Sequence, residues 1–218
     1  MPNSTRIFDK KPYTIEEQIA LLRDRNLIIN DEETAQHYLK FIGYYRLSGY
    51  MLHFQKADQT DDHHCFYPDT EFEDILRVYN FDRKLRLHIM DAIERIEVAV
   101  KSVIINKMCN AYGADWYMNP DYFLDRFRYR GTDQYQSGYE KLIQTIQNDI
   151  DYNKPVHKIR NISIKHYRQK YDYPAMPPLW MVFETTSLGT ISHLYAGLSH
   201  SNQKLIADEF QLGVPVLK

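Results

Sequence analysis

The chain has 218 residues, a formal net charge of -2, and 44% hydrophobic against 26% charged residues. That balance belongs to a globular protein with one good core and excludes a disordered chain; with so little net charge, any nucleic-acid contact must come from a local patch. Two cysteines are too few for a disulfide framework, and no apolar run is long enough for a signal segment or a bilayer span, so the chain reads as cytoplasmic with no membrane partner.

Thr14-Ile15-Glu16-Glu17 has the form of a capping box, in which the Thr14 hydroxyl and the Glu17 carboxylate satisfy amides at a helix start. The helix it opens carries Ile15, Ile19 and Leu22 on its apolar face. A second helix is predicted after Asp31, with Ala35, Tyr38, Leu39 and Ile42 at helical spacing. Gly43 interrupts it, and residues 44–50 lead into a short apolar segment through Phe54. Residues 56–70 are polar and punctuated, so a loop is predicted there. The longest helix runs from about residue 72 to 108, with no proline or glycine inside. Further helices are expected near 134–150, 156–170, 179–187, 190–198 and 202–211, with Pro174, Pro177 and Pro178 setting off the last group. Strand alternation is not found. The fold class is all-α, a single domain over residues 1–218. At the end, Gly213 reads as the close of one helix and Pro215 as the opening of another. The chain is therefore expected to be truncated at its C-terminus.

The long helix carries an apolar stripe of Phe72, Ile75, Tyr79, Met90, Ile93, Val100 and Ile104, at about 100° per residue. Asp82, Arg86 and Glu97 fall on the same stripe, where charge should be scarce. Asp82 and Arg86 are spaced to pair directly, whereas Glu97, about three turns beyond Arg86, is expected to need a partner from another helix. Two readings stand: a structural ion-pair network, or the border of a polar site in which these three organise catalytic or RNA-contacting groups.

A basic run follows at Lys154, Lys158, Arg160, Lys165, Arg168 and Lys170, with His157, His166 and Tyr167 interleaved and no acidic residue between Asp151 and Asp172. Arg126, Arg128 and Arg130 alternate with Phe127 and Tyr129 in the same manner. Such mixtures neutralise phosphates and stack bases, or are simply solvated faces. The 18 tyrosines serve equally for helix packing and for partner surfaces, because the ring packs while the hydroxyl stays polar. Asp61-Asp62-His63-His64-Cys65 contains ligand types without the spacing of a structural zinc site, so no metal is expected. No phosphate loop, dinucleotide fingerprint or nucleophile elbow occurs, which leaves no cofactor implied.

Several segments resemble the Abi-like (abortive infection) family of bacterial phage-defence proteins. They are Lys11-Pro12-Tyr13-Thr14-Ile15-Glu16-Glu17-Gln18-Ile19, Ile42-Gly43-Tyr44-Tyr45-Arg46-Leu47-Ser48-Gly49-Tyr50, Phe81-Asp82-Arg83-Lys84-Leu85-Arg86 and Asp91-Ala92-Ile93-Glu94-Arg95-Ile96-Glu97-Val98-Ala99. Lys165-His166-Tyr167, Pro177-Pro178-Leu179-Trp180-Met181 and Ser187-Leu188-Gly189-Thr190-Ile191-Ser192 complete the series. The resemblance implies a helical fold of the HEPN superfamily (higher eukaryotes and prokaryotes nucleotide-binding), whose active members are metal-independent ribonucleases. It further implies a toxin acting on RNA, a restraining antitoxin RNA or protein, and a homodimer in which two signature motifs meet.

That signature is an Arg, four to six residues, then a His, often with a polar residue after the Arg. In this family it follows the Ser-Leu-Gly-Thr stretch, and the chain reaches Lys218 first. The expectation is therefore an inactive or incomplete enzyme; the alternative is a non-catalytic RNA- or protein-binding module, an inhibitor or scaffold. Two internal stretches imitate the signature, Arg83 with His88 and Arg160-Asn161 with His166. On a continuous helix each pair would point about 120–140° apart. RNA-binding candidates are Arg46, Arg83, Arg95, Arg126, Arg128, Arg130, Lys158, Arg160, Lys165 and Arg168.

Overall fold

A computed structural model describes residues 11–56, 64–125 and 138–214. Among these the fold is all-α, with no strand and only isolated bridges such as that between Ile28 and Glu71. The chain divides into two compact units, one ending at Asp91 and the other starting at Ala92. The division falls inside one unbroken helix, which is why the sequence offers no linker and reads as a single domain.

In the first unit, α1 (Ile15–Asp24) starts from the expected capping box: Glu17 N–H donates to the Thr14 hydroxyl at 3.2 Å, and Thr14 N–H donates to the Glu17 carboxylate at 2.7 Å. Helix α2 (Glu32–Phe41) is capped by Asp31 and ends where Gly43 takes φ +91°, a conformation that excludes most side chains. The amides of Ile42 and Gly43 both donate to the Tyr38 carbonyl there, and α3 (Tyr44–Met51) begins at once. The long helix α4 (Phe72–Tyr112) starts at the predicted residue and extends one turn past the expected end. Ile19, Leu22, Leu39, Leu47, Met51, Phe66, Phe72 and Ile75 form this unit's core. Beyond it, α4 exposes Phe81, Leu85, Leu87, Ile89 and Met90.

The second unit takes the rest of α4, which exposes Ile93, Ile96 and Val98 before burying Ile104 and Met108. Met90 and Ile93, expected on the apolar face, are thus 62% and 38% exposed; that stripe is buried near its two ends only. Helix α5 (Gly138–Asp149) buries Gly138, Leu142 and Ile146, one every turn. The helix predicted over 156–170 is shorter: a 3-10 turn at Val156–Lys158 precedes α6 (Ile162–Lys170), because Asn161 caps α6 by accepting from Ile164 N–H at 3.0 Å. Likewise the expected 179–187 helix is only the single turn α7 (Leu179–Val182), since Ser187 caps the next helix, α8 (Leu188–Gly197). Helix α9 (His200–Ala207) closes the set and runs into a 3-10 turn, Asp208–Phe210. Leu142, Ile146, Ile164, Val182, Phe183, Ile191, Leu194 and Ile206 pack into one core with Ile104 and Met108.

Candidate functional site

In the first unit the chemistry gathers on α3 and the early part of α4. Tyr79, Asp82, Arg83 and Arg86 are spaced three, four and seven residues from the first, so they share one face of α4. Arg46 and Tyr50 are likewise one turn apart on α3. The Tyr50 hydroxyl donates to Asp82 Oδ2 at 2.6 Å, and Arg86 Nη2 lies 3.1 Å from the same oxygen. Edge-on packing of Tyr50 against Tyr79, with centroids 5.4 Å apart, fixes the approach of the tyrosine.

The hydrogen bond to Asp82 is the main reason the Tyr50 phenol is held above its ordinary pKa. Burial and the carboxylate charge add to it, while Arg86 and Arg46 act in the opposite sense. Arg46 therefore lies within electrostatic reach of the Tyr50–Asp82–Arg86 chain. Arg46, Arg83 and Lys84 are exposed, and among the described residues none forms a salt bridge. Asp82 and Arg86 thus pair as the sequence suggests. Glu97 does not need another helix: it lies in the second unit and pairs with Lys101 one turn on, Oε1 to Nζ 2.7 Å, and Lys101 also donates to the Thr186 carbonyl. Sequence reasoning overlooked this partner because Lys101 sits on the same helix. Arg95 is exposed on the second unit's share of α4.

The basic run of the second unit is organised around a residue that sequence reasoning treats only as its boundary. Asp151 is 4% exposed and has φ +56°, which turns its carboxylate back over the chain. Its Oδ2 accepts from Arg160 N–H at 3.1 Å and Arg160 Nε at 2.9 Å, and its Oδ1 from Arg160 Nη2 at 3.2 Å and Lys154 Nζ at 2.8 Å. The Arg160 guanidinium, with Lys154 next, holds the Asp151 carboxyl far below the usual carboxylate range. Two residues earlier, burial raises Asp149 instead, only partly offset by the Thr190 hydroxyl bond and the Arg160 charge.

Arg168 is also committed, donating to the Tyr152 carbonyl and lying 5.1 Å above the Tyr152 ring. Lys158 and His166 are exposed, and Lys165 is half-buried. Arg160 precedes α6 rather than sharing a helix with His166, and Asn161 is spent as the cap. Arg83 and His88 lie five residues apart on α4 with no break between them. Arg126, Arg128 and Arg130 fall outside the described residues, as do Asp61, Asp62 and His63. Among the described residues no group of three or more His, Cys, Asp or Glu side chains could hold a metal ion, and no helix is long and apolar enough to cross a membrane.

Comparison with known protein families finds a match. The family model described as Abi-like protein covers residues 37–218, which takes in both clusters. No curated protein and no solved structure matches the chain.

Proposed function

This chain belongs to the Abi-like family, whose role is abortive infection in phage defence, and we propose that its own part in that role is to engage RNA in the manner of the HEPN ribonucleases. The observation that carries this is the face of α3 and α4 in the first unit. Arg46 and Arg83 stand exposed without carboxylate partners among the described residues, while Asp82 is occupied by Tyr50 and Arg86. Cations of this kind, with aromatic rings beside them, suit a phosphate backbone.

Cleavage by attack of a 2'-hydroxyl requires an imidazole to move the proton and a cation to meet the charge on phosphorus. Two HEPN signatures meeting across a homodimer would supply both. The exposed pairs Leu85/Ile89 and Leu87/Met90 of the first unit, each about one turn apart on α4, favour such a partner, since large apolar side chains left exposed in number mark an interface. An antitoxin, RNA or protein, would restrain the toxin by covering the same cations.

The second reading is a module that binds RNA or protein without cutting. It is favoured by Arg160, whose guanidinium and backbone amide are both taken by Asp151. The test is RNA cleavage by the full chain with chelator present, beside an Arg160→Ala/His166→Ala double variant, together with RNA binding measured under the same conditions. Cleavage that the variant loses assigns the reaction to residues 160–166 and removes the second reading. Binding without cleavage supports the second reading. Absence of both removes RNA as the target.

A further inference from the structure

Between α2 and α4 of the first unit lies a cavity of about 190 Å³, lined by His37, Tyr38, Phe41, Tyr79, Asn80 and Arg83. From its size, rings and polar groups we infer that it takes one unstacked base of a single-stranded RNA, with the neighbouring phosphates on Arg83 and the cations around it. The inference rests on the RNA reading above and assigns a place to one nucleotide within it.

Size is the first discriminator. Ligand pockets for whole drug-sized molecules run to about 300–1,000 Å³, so a hollow this small admits a planar ring system and leaves sugar and phosphate outside.

Its walls have the required chemistry. Phe41 is 69% exposed, a large ring standing in water at the cavity's edge, with His37 packed against it at 4.8 Å and Lys40 5.4 Å from its centroid. A ring left open in this way gains apolar contact when a base stacks on it, whatever the base. Tyr45, on the next helix, is 93% exposed and offers a second ring to the strand. Asn80 brings a donor and an acceptor for a base edge, and its amide makes no hydrogen bond among the described residues.

Arg83 follows Asn80 by three residues, so both address the same side of α4. Charge favours a polyanion over a protein segment: Lys40, Arg46, Arg83 and Lys84 are all exposed, and Asp82 is held by Tyr50 and Arg86.

The experiment compares two short, end-labelled single strands binding to the full chain by fluorescence anisotropy: a mixed-sequence RNA and the same length with abasic sugars throughout. The expected result is that Phe41→Ala and Asn80→Ala each weaken binding of the base-containing strand, Phe41→Ala by about tenfold. Neither variant should change binding of the abasic strand. Arg83→Ala should weaken both strands and lower the salt dependence by about one released counterion. Phe41 and Arg83 are exposed, so their variants are expected to keep the parent's melting temperature, which serves as the folding control. If the parent binds abasic and normal strands equally, or Phe41→Ala binds like the parent, the base site is overturned while the RNA reading stands. If the chain binds neither strand, both fall. Displacement of the RNA by a mononucleotide at micromolar concentration would reassign the cavity to a free nucleotide and also overturn the proposal.

Discussion

Two stretches of this chain present the same composition, cations mixed with aromatic rings, and use it differently. On α3 and α4 of the first unit a single carboxylate, Asp82, ties down Arg86 and Tyr50 and leaves Arg46 and Arg83 exposed. In the basic run of the second unit a buried carboxylate, Asp151, takes Arg160 and Lys154, and the Tyr152 carbonyl takes Arg168. A basic stretch is therefore a binding surface only to the extent that its charges lack internal work. Counting lysines and arginines ranks the 154–170 run first; accounting for their partners takes away both of its arginines, Arg160 and Arg168, and ranks the α3/α4 face first, because Arg46 and Arg83 keep the forked guanidinium that suits phosphate.

The largest effect that would break this ranking is on RNA affinity. Arg46→Glu/Arg83→Glu removes two phosphate contacts and adds repulsion, so it should weaken binding by about two orders of magnitude at about 100 mM salt. The matched Lys154→Glu/Arg160→Glu change should lower the melting temperature and cost far less affinity. Titration of labelled RNA against both variants decides the matter, and a greater affinity loss in the second would reverse the ranking.

A middle-sized effect sharpens the structural half. Asp151→Asn keeps a side chain that tolerates the φ of +56° and removes the charge together with one of the two acceptor oxygens, so it should lower the melting temperature while leaving RNA affinity close to the parent's. The pH dependence follows from the direction of the shift. Because the folded-state pKa of Asp151 lies below its unfolded value of about 3.9, its contribution is fully present above that pH and is lost as pH falls toward the folded value. The gap in melting temperature between parent and variant should therefore stay constant from neutral pH to about pH 4 and narrow below it. A gap that instead closes on the way from neutral to about pH 5 would mean that Asp151 is not the group holding the run together.

This contrast also explains what could be read in the residues beforehand. The capping box at Thr14 and Glu17, the break at Gly43 and the start of α4 at Phe72 were legible because each depends on residues within one turn of one another. The Asp82–Arg86 pair was legible for the same reason. Asp151 was not: it meets a residue nine positions on by way of a left-handed backbone step, and no spacing rule encodes that. Asn161 misled in a different way, since an asparagine after an arginine imitates a nuclease signature and here serves as a helix cap. The tyrosines divide similarly, with Tyr117 and Tyr167 buried and bonded to the Pro177 and Pro174 carbonyls while Tyr45 stands almost fully exposed. Composition raised both roles and only partners and burial separate them.

The smallest effect tests the hinge of the comparison, the occupation of Asp82. Tyr50→Phe removes one hydroxyl that donates to a carboxylate at a half-exposed position, so it should cost about 1.5 kcal/mol of stability, the low end for a bond to a charged group. Its effect on RNA has a definite sign. Without the hydroxyl, Asp82 has unfilled acceptor capacity beside Arg46 and Arg83, and an arginine that turns toward it is lost to phosphate. Affinity should fall by about threefold, the order expected when one phosphate contact is weakened rather than removed. Tyr50→Phe combined with Asp82→Asn should restore it, since the neutral amide no longer competes for the arginines. Failure of that rescue would show that Tyr50 acts on the surface through packing against Tyr79 and not through the charge it keeps occupied.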